Sequence, residues 1–163
     1  MAPALRLAAT GLVMALAGPA APQPGVVEGT VTAPSFRVGG AVVYLVRQGD
    51  STPAPAAEPA LIDQINLRFA PRVLAVTPGT TVEFRNGDPI MHNVFSPPVS
   101  GDAFDLGTYP RPERRSHVFS RAGVYVILCH VHPEMAAYVV VVETPYAGVV
   151  DEAGHYRIDG VPA

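Results

Sequence analysis

The stretch GVYVILCHVHPEM, from Gly123 to Met135, predicts a β-strand that ends in a loop of metal-binding side chains. In its first half both sets of alternating positions are apolar, which is typical of a strand covered on both faces. Pro133 then forces a turn, so that His132 and Met135 can return toward Cys129. The stretch therefore favours a β-protein with a polar site at the end of one strand.

Short strand-like runs of this kind recur along the 163 residues, which include 15 Gly and 18 Pro. Turn residues separate the runs, as at Thr77-Pro78-Gly79 and Asn86-Gly87-Asp88-Pro89,. Besides Gly123–Cys129, the predicted strands are Val26–Val31, Ala41–Val46, Asn66–Phe69, Arg72–Val76, Thr81–Arg85, Asn93–Ser96, Ser116–Phe119, Ala137–Glu143, Ala147–Val150 and His155–Ile158. Many short strands without a helical period predict an all-β sandwich or barrel.

Cys129, His132 and Met135 have the spacing C-x-x-H-x-x-M. A thiolate, imidazoles and a weak thioether are the donors of a blue-copper electron-transfer site. The second imidazole can come from His92, at the start of another predicted strand. Each residue has an ordinary alternative: a buried hydrophobic Cys, a core Met or a loop-capping His. The joint spacing favours the copper site.

The N-terminus resembles an export signal. Arg6 precedes an apolar run, Leu7 to Ala17, and small residues follow to Ala21,. We expect residues 1–21 to be a signal peptide and the mature protein to be periplasmic or exported, without stable membrane insertion. The alternative is an uncleaved anchor. Cys129 is the single cysteine, and a bound metal would protect its thiol in an oxidising compartment.

The formal net charge is −3, which excludes a strongly basic surface for nucleic acid. Arg111, Arg114 and Arg115 form the one local basic cluster in the sequence. This cluster either steers an acidic partner or is a solvated loop.

Further motifs carry a resemblance to a known family. They are Phe69-Ala70-Pro71, Pro78-Gly79-Thr80-Thr81-Val82, Asn86-Gly87-Asp88 and His92-Asn93-Val94, followed by Cys129, His132 and Met135. Over residues 61–144 this pattern resembles the cupredoxin family, of the kind labelled plastocyanin-like or methylamine utilisation proteins. The two-residue gap between His132 and Met135 is similar to that of amicyanin. The resemblance implies a Greek-key β-sandwich and one type 1 copper ion on His92, Cys129, His132 and Met135.

The flanks resemble a different module. Residues 25–47 and 145–163 are similar to the two halves of a small carboxypeptidase-regulatory-like (transthyretin-like) β-sandwich, and residues 48–60 have the Pro- and Ala-rich composition of a linker,. On this interpretation the cupredoxin domain is inserted into a second sandwich. The sequence ends where another strand is expected, so we expect a truncated edge or one that a partner completes.

The resemblance also assigns roles around the copper. It implies that the Asn93 backbone donates to the Cys129 sulfur and that the Asn93 side chain joins two loops. Val131 stands where relatives carry Pro, which leads to the hypothesis of a second hydrogen bond to the thiolate. The His132 ring is the expected electron exit. An apolar docking patch for redox partner proteins would surround it, built from Met91, Pro97, Pro98, Val99 and Pro133.

The primary prediction is an electron carrier and not an enzyme. A copper-binding or delivery protein is one alternative. A copper oxidoreductase subunit is another, because Cys129 and His130 are adjacent and such pairs connect a blue copper to a catalytic copper. That centre would need further imidazoles, and only His117 and His155 remain. A binuclear copper centre with two cysteines is excluded by the single Cys, and a structural sandwich with a vestigial site is the third alternative.

Overall fold

The computed structural model describes residues 23–35, 37–46, 49, 53–98 and 102–162. The predicted signal peptide, residues 1–21, lies outside the described residues, as do Val99 and part of the predicted linker. No helix in the described part of the chain is long and apolar enough to cross a membrane. The fold is all-β, as the sequence predicted.

Nine strands form the central body of the chain. They are β3 (Ala60–Ile65), β4 (Arg68–Ala70), β5 (Val73–Val76), β6 (Thr80–Asn86), β7 (His92–Ser96), β8 (Phe104–Tyr109), β9 (Arg114–Phe119), β10 (Gly123–Leu128) and β11 (Ala136–Val141). A four-stranded sheet has the order β4-β3-β6-β9, and a five-stranded sheet has the order β5-β11-β10-β7-β8. Side chains of both sheets share one buried core, so the two sheets form a β-sandwich.

The alternating pattern of β6 explains how a strand contributes to this core. Thr80, Val82, Phe84 and Asn86 are buried, whereas the intervening residues are half-buried. Most strand pairs are antiparallel, but β3 pairs with β6 and β11 pairs with β5 in parallel. Parallel neighbours cannot be joined by a tight hairpin, so the chain crosses between the sheets. The sandwich therefore combines parallel and antiparallel strand pairs.

The β10–β11 hairpin positions the predicted metal loop. Its strands are paired from Gly123 with Val141 to Leu128 with Ala136. Residues 129–135 must therefore close on themselves at one end of the five-stranded sheet. On its other side β10 pairs with β7, where Leu128 lies opposite Phe95. This pairing brings the start of β7 to the same end of the sandwich.

Two further strand pairs bring the flanks of the chain together. The strands β1 (Gly25–Thr30) and β13 (His155–Val161) are antiparallel partners, and so are β2 (Val42–Tyr44) and β12 (Ala147–Val149). The strands β12 and β13 lie so close that a Cβ on Gly148 would clash with the Arg157 carbonyl oxygen. Whether the flanks make a second domain with the predicted boundaries stays a prediction.

The structure differs from the predicted strands in three places. Asn66 and Leu67 have φ of 53° and 57°, so they form a tight turn and β4 begins only at Arg68,. The strands β3 and β8 were not predicted. In β3 the buried Gln64 interrupts the apolar alternation, and β8 is an edge strand that contains Gly107, a residue type depleted in strands,.

Candidate metal centre

Three predicted ligands meet at one end of the sandwich. A ligand atom from each of His92, Cys129 and His132 lies within 4.8 Å of the other two. His92 is fully buried and Cys129 is 3% exposed, whereas His132 is half-buried. In the described part of the chain no other three His, Cys, Asp or Glu side chains make such a group. The fold therefore assembles one site from β7 and from the β10–β11 loop.

The two imidazole rings face each other through the same type of nitrogen. His92 Nδ1 lies 3.0 Å from His132 Nδ1, and the rings meet edge to face with centroids 4.8 Å apart. Converging imidazole nitrogens beside a thiol are a donor set that suits copper. The residues present therefore fit a copper ion.

Met135 lies at the far end of the same loop. Its side chain is 1% exposed and belongs to the buried core. Its backbone N–H donates to the His132 carbonyl oxygen at 3.0 Å, which tightens the loop. The assignment of Met135 as the axial ligand stays a prediction, as do the roles of the other three residues as ligands.

Asn93 connects the two segments that carry the predicted ligands. Its backbone N–H donates to Cys129 Sγ at 3.4 Å, and its side-chain Oδ1 accepts from the His130 N–H at 3.3 Å. Its Nδ2 donates to Asp105 Oδ1 at 2.7 Å. These contacts are the ones that the resemblance implied for this position. They hold the sulfur and fix the spacing between the start of β7 and the metal loop.

Comparison with known proteins gives matches among solved structures. No family profile and no curated protein matches the chain. A copper-containing nitrite reductase from Thermus scotoductus SA-01 is 29% identical with a TM-score of 0.51, over 61% of this chain and 25% of that chain. A purple cupredoxin from Nitrosopumilus maritimus is 30% identical over 51% of this chain and 99% of its own, with a TM-score of 0.46. An amicyanin mutant in its oxidized state is 28% identical over 53% of this chain and 85% of its own, with a TM-score of 0.48.

The match thus covers 99% of the purple cupredoxin at 30% identity. The chain belongs to the cupredoxin family. It spans only a quarter of the nitrite reductase chain.

A carboxylate that was not predicted as part of the site contacts His92, one of the predicted ligands. His92 Nε2 lies 2.9 Å from Asp88 Oδ2, and Asp88 is 6% exposed. Burial raises the pKa of Asp88, but hydrogen bonds from the Leu67 N–H, the His92 ring and the Asn66 N–H outweigh it, so the pKa lies below its ordinary value,. The N-x-D motif contained this residue, but the motif alone did not indicate its partner.

His130 lies beside the cupredoxin site rather than in it. Its ring stacks on Phe95, with centroids 3.7 Å apart and an angle of 6° between the planes. Its Nε2 lies 3.5 Å from Asp105 Oδ2, and both side chains are more than half exposed. His130 is therefore the residue that directly follows Cys129 in the chain, and its ring is exposed.

The predicted second hydrogen bond to the sulfur is not present. Among the described residues, the hydrogen bond onto Cys129 Sγ comes from Asn93, and the Val131 N–H makes none. Val131 is 46% exposed on the loop. The absence of Pro at this position therefore frees an N–H group without directing it to the thiolate.

Proposed function

We propose that this cupredoxin is a periplasmic electron carrier that holds one type 1 copper ion with His92, Cys129, His132 and Met135. The observation that carries the proposal is the convergence of three ligand atoms within 4.8 Å. When bound, the copper ion would supply a one-electron Cu(II)/Cu(I) couple. The protein's part is to hold the donors in one arrangement.

The scaffold supports this role because the donors are fixed by strands and buried contacts. His92 begins β7 and Cys129 directly follows β10, and these two strands are neighbours in one sheet. Both side chains are almost completely buried, which keeps water from the sulfur. A site of this kind changes little when its charge changes, and little reorganisation favours fast electron transfer.

The half-buried His132 is the proposed electron exit, and apolar side chains next to both imidazole ligands would form the docking surface. Ile90, Met91 and Val131 are 43%, 52% and 46% exposed, and Pro133 is exposed. We call these four residues the apolar patch. A small apolar surface suits brief encounters with redox partner proteins. Pro98 of the originally predicted patch is also exposed, and Pro97 is half-buried.

The arginine cluster is less available to a partner than its sequence suggests. Arg114 pairs with Glu83 at 2.9 Å, and Arg115 pairs with Glu113 at 2.9 Å. Arg115 also lies over the Tyr109 ring, 4.8 Å from its centroid. These contacts within the chain favour a structural role for the two arginines, so we assign partner docking to the apolar patch.

Export rests on the N-terminal segment, residues 1–21, and on the single cysteine. A fusion of the full chain to a reporter that is active only outside the cytoplasm tests it. Activity that requires residues 1–21 supports export. Equal activity of the reporter without them contradicts it.

A copper oxidoreductase is the second candidate function. The likeness to a nitrite reductase and the adjacent Cys129 and His130 favour it. His117, however, stacks on Phe104 with centroids 3.9 Å apart, and His155 lies 3.5 Å from Asp151 Oδ2. Neither joins a second group of three metal-binding side chains in the described residues. Nitrite consumption with an artificial electron donor tests this candidate, and turnover would favour it over the carrier.

Electron paramagnetic resonance and voltammetry of the copper-loaded protein test the carrier. We expect one Cu(II) per chain, the small copper hyperfine splitting of a thiolate-bound site, and a reversible one-electron wave. Copper that binds but passes rapidly to a chelating acceptor, without a reversible wave, would favour a delivery protein. A signal of copper bound without sulfur would contradict the proposal.

A further inference from the structure

We propose that Asp88 is a positioning residue of the metal site, whose buried carboxylate fixes the His92 ring and the tautomer that leaves Nδ1 free to bind the metal. The inference rests on the proposed function because it concerns the same site. It adds a residue, a hydrogen-bonded turn and an effect on reduction potential that the ligand set does not contain.

The His92 ring contacts the Asp88 carboxylate. His92 Nε2 lies 2.9 Å from Asp88 Oδ2, with His92 fully buried and Asp88 6% exposed. A neutral imidazole carries one N–H, and a carboxylate only accepts hydrogen bonds. The proton therefore belongs on Nε2 and the lone pair on Nδ1. Nδ1 is the atom that faces His132.

The Asp88 carboxylate is itself held in place by two backbone N–H groups. Asp88 Oδ1 accepts from the Asn66 N–H at 2.7 Å, and Oδ2 also accepts from the Leu67 N–H at 3.0 Å. Asn66 and Leu67 have positive φ, so the β3–β4 turn presents two successive N–H groups to one side chain. Asp88 therefore ties a ligand to a turn in the opposite sheet.

The segment that carries Asp88 is also fixed. The Asp88 N–H donates to Asn86 Oδ1 at 2.9 Å. The Asn86 Nδ2 donates to the carbonyl oxygens of Ile90 at 2.8 Å and of Tyr109 at 3.0 Å. The loop between β6 and β7 is thus braced at several points. Because these hydrogen bonds hold Asp88 in place, the position of its carboxylate determines the orientation of the His92 ring.

The Asp88 carboxylate matches its surroundings both as a hydrogen-bond acceptor and in its negative charge. All three partners of the Asp88 carboxylate, namely the His92 ring and the Asn66 and Leu67 backbones, are donors in this arrangement. An amide has one acceptor oxygen and an NH₂ group, so Asp88→Asn must turn NH₂ toward at least one donor.

A negative charge beside a ligand also favours the more positive metal state. Removing that charge should raise the reduction potential.

The direct test is the tautomer of His92, read in the metal-free full chain from histidine ¹⁵N chemical shifts at neutral pH. We expect the proton on Nε2 in the wild type and a mixture of tautomers in Asp88→Asn. A proton on Nδ1 in the wild type, or an unchanged tautomer in a folded Asp88→Asn variant, would overturn the proposal. If the variant does not fold, the wild-type tautomer still decides.

The copper-loaded protein gives the second readout. We expect Asp88→Asn to weaken Cu(II) affinity by about 10- to 100-fold and to raise the reduction potential. Asp102→Asn is the matched control, because it removes a carboxylate that is 49% exposed and pairs with Arg121, and it should change neither. Equal affinity and potential in both variants would contradict the role of Asp88. A protein that binds no copper would instead defeat the proposed function, with the tautomer result unaffected.

Discussion

The backbone N–H of Asn93 donates to the sulfur of Cys129 across 3.4 Å. Asn93 lies in β7, and Cys129 directly follows β10, the neighbouring strand of the same sheet, at the end where the predicted ligands meet. The contact means that the backbone of β7 contributes directly to the surroundings of the sulfur. A donor to the thiolate reduces its negative charge and thus tunes the electronic properties of the site.

Replacing Asn93 with Ala should destabilise the protein by about 0.5–1.5 kcal/mol, because the His130 N–H would lose its acceptor in a partly buried hydrogen bond,. The backbone donor to sulfur remains, but its position is less constrained, so the visible spectrum should broaden. Urea unfolding and the spectrum of the loaded protein measure both effects. Asp105→Asn is the control: it keeps an oxygen acceptor for Asn93 Nδ2 and should have the smaller effect. Equal stability of Asn93→Ala and the wild type would contradict the account.

His130→Ala should leave copper binding and colour intact, because the exposed ring lies outside the ligand group. Stability should fall by about 0.5–1.5 kcal/mol with the loss of stacking on Phe95. Copper analysis, the visible spectrum and thermal unfolding check these expectations. A colourless variant would show that His130 belongs to the site.

Met135→Leu should keep the fold, at a cost below about 1.5 kcal/mol, because the swap nearly conserves volume in the core. Loss of the thioether leaves the copper ion with one donor fewer. Because the more positive Cu(II) depends more strongly on its donors than Cu(I) does, the reduction potential should rise. Voltammetry of the variant and the wild type measures the change. An unchanged potential would mean that Met135 is a core residue and not a ligand.

The turn between β12 and β13 should make stability depend on pH. Asp151 Oδ1 accepts from the N–H groups of His155 at 2.8 Å and Ala153 at 2.9 Å. The His155 N–H, chiefly, lowers the pKa of Asp151 below its ordinary value of 3.8. A lowered pKa stabilises the fold above the ordinary value, and this stabilisation is lost as the pH falls through the folded-state pKa.

Asp151→Asn tests this pH dependence because it keeps the acceptor oxygen but cannot titrate. Free energies of unfolding measured from neutral to acid pH should fall less steeply for the variant than for the wild type. Asp88 and Asp105 remain in both proteins, so the difference isolates Asp151. Parallel curves would contradict the assigned role of the turn.

The metal loop could be predicted from the sequence because it is short. Cys129 and His132 are three positions apart, and any strand that ends before Pro133 brings them together. His92 could be found from the H-N-V context and its place at the start of a strand. The role of Asp88 could not be predicted, because its contact with His92 depends on how the loop before β7 folds back.

There are physical reasons why β3 and β8 could not be predicted from the sequence. Gln64 is fully buried and donates to the Tyr109 hydroxyl at 2.6 Å, so a polar residue occupies a core position in β3. In β8, the polar Asp105 pairs with Phe95 in the sheet and accepts a hydrogen bond from Asn93 Nδ2 at 2.7 Å, so it interrupts an apolar alternation. The pairing of β1 with β13 joins the two ends of the described chain, and no local pattern predicts so distant a contact.

The visible absorption spectrum after addition of one equivalent of Cu(II) tests the central claim most directly. The wild type should develop an intense band from charge transfer between the Cys129 thiolate and copper. The Cys129→Ala variant should show no such band. Its circular dichroism should remain that of the folded protein, because the substitution is a small change at a position that is 3% exposed. A colourless wild type, or a coloured Cys129→Ala variant, would contradict the account.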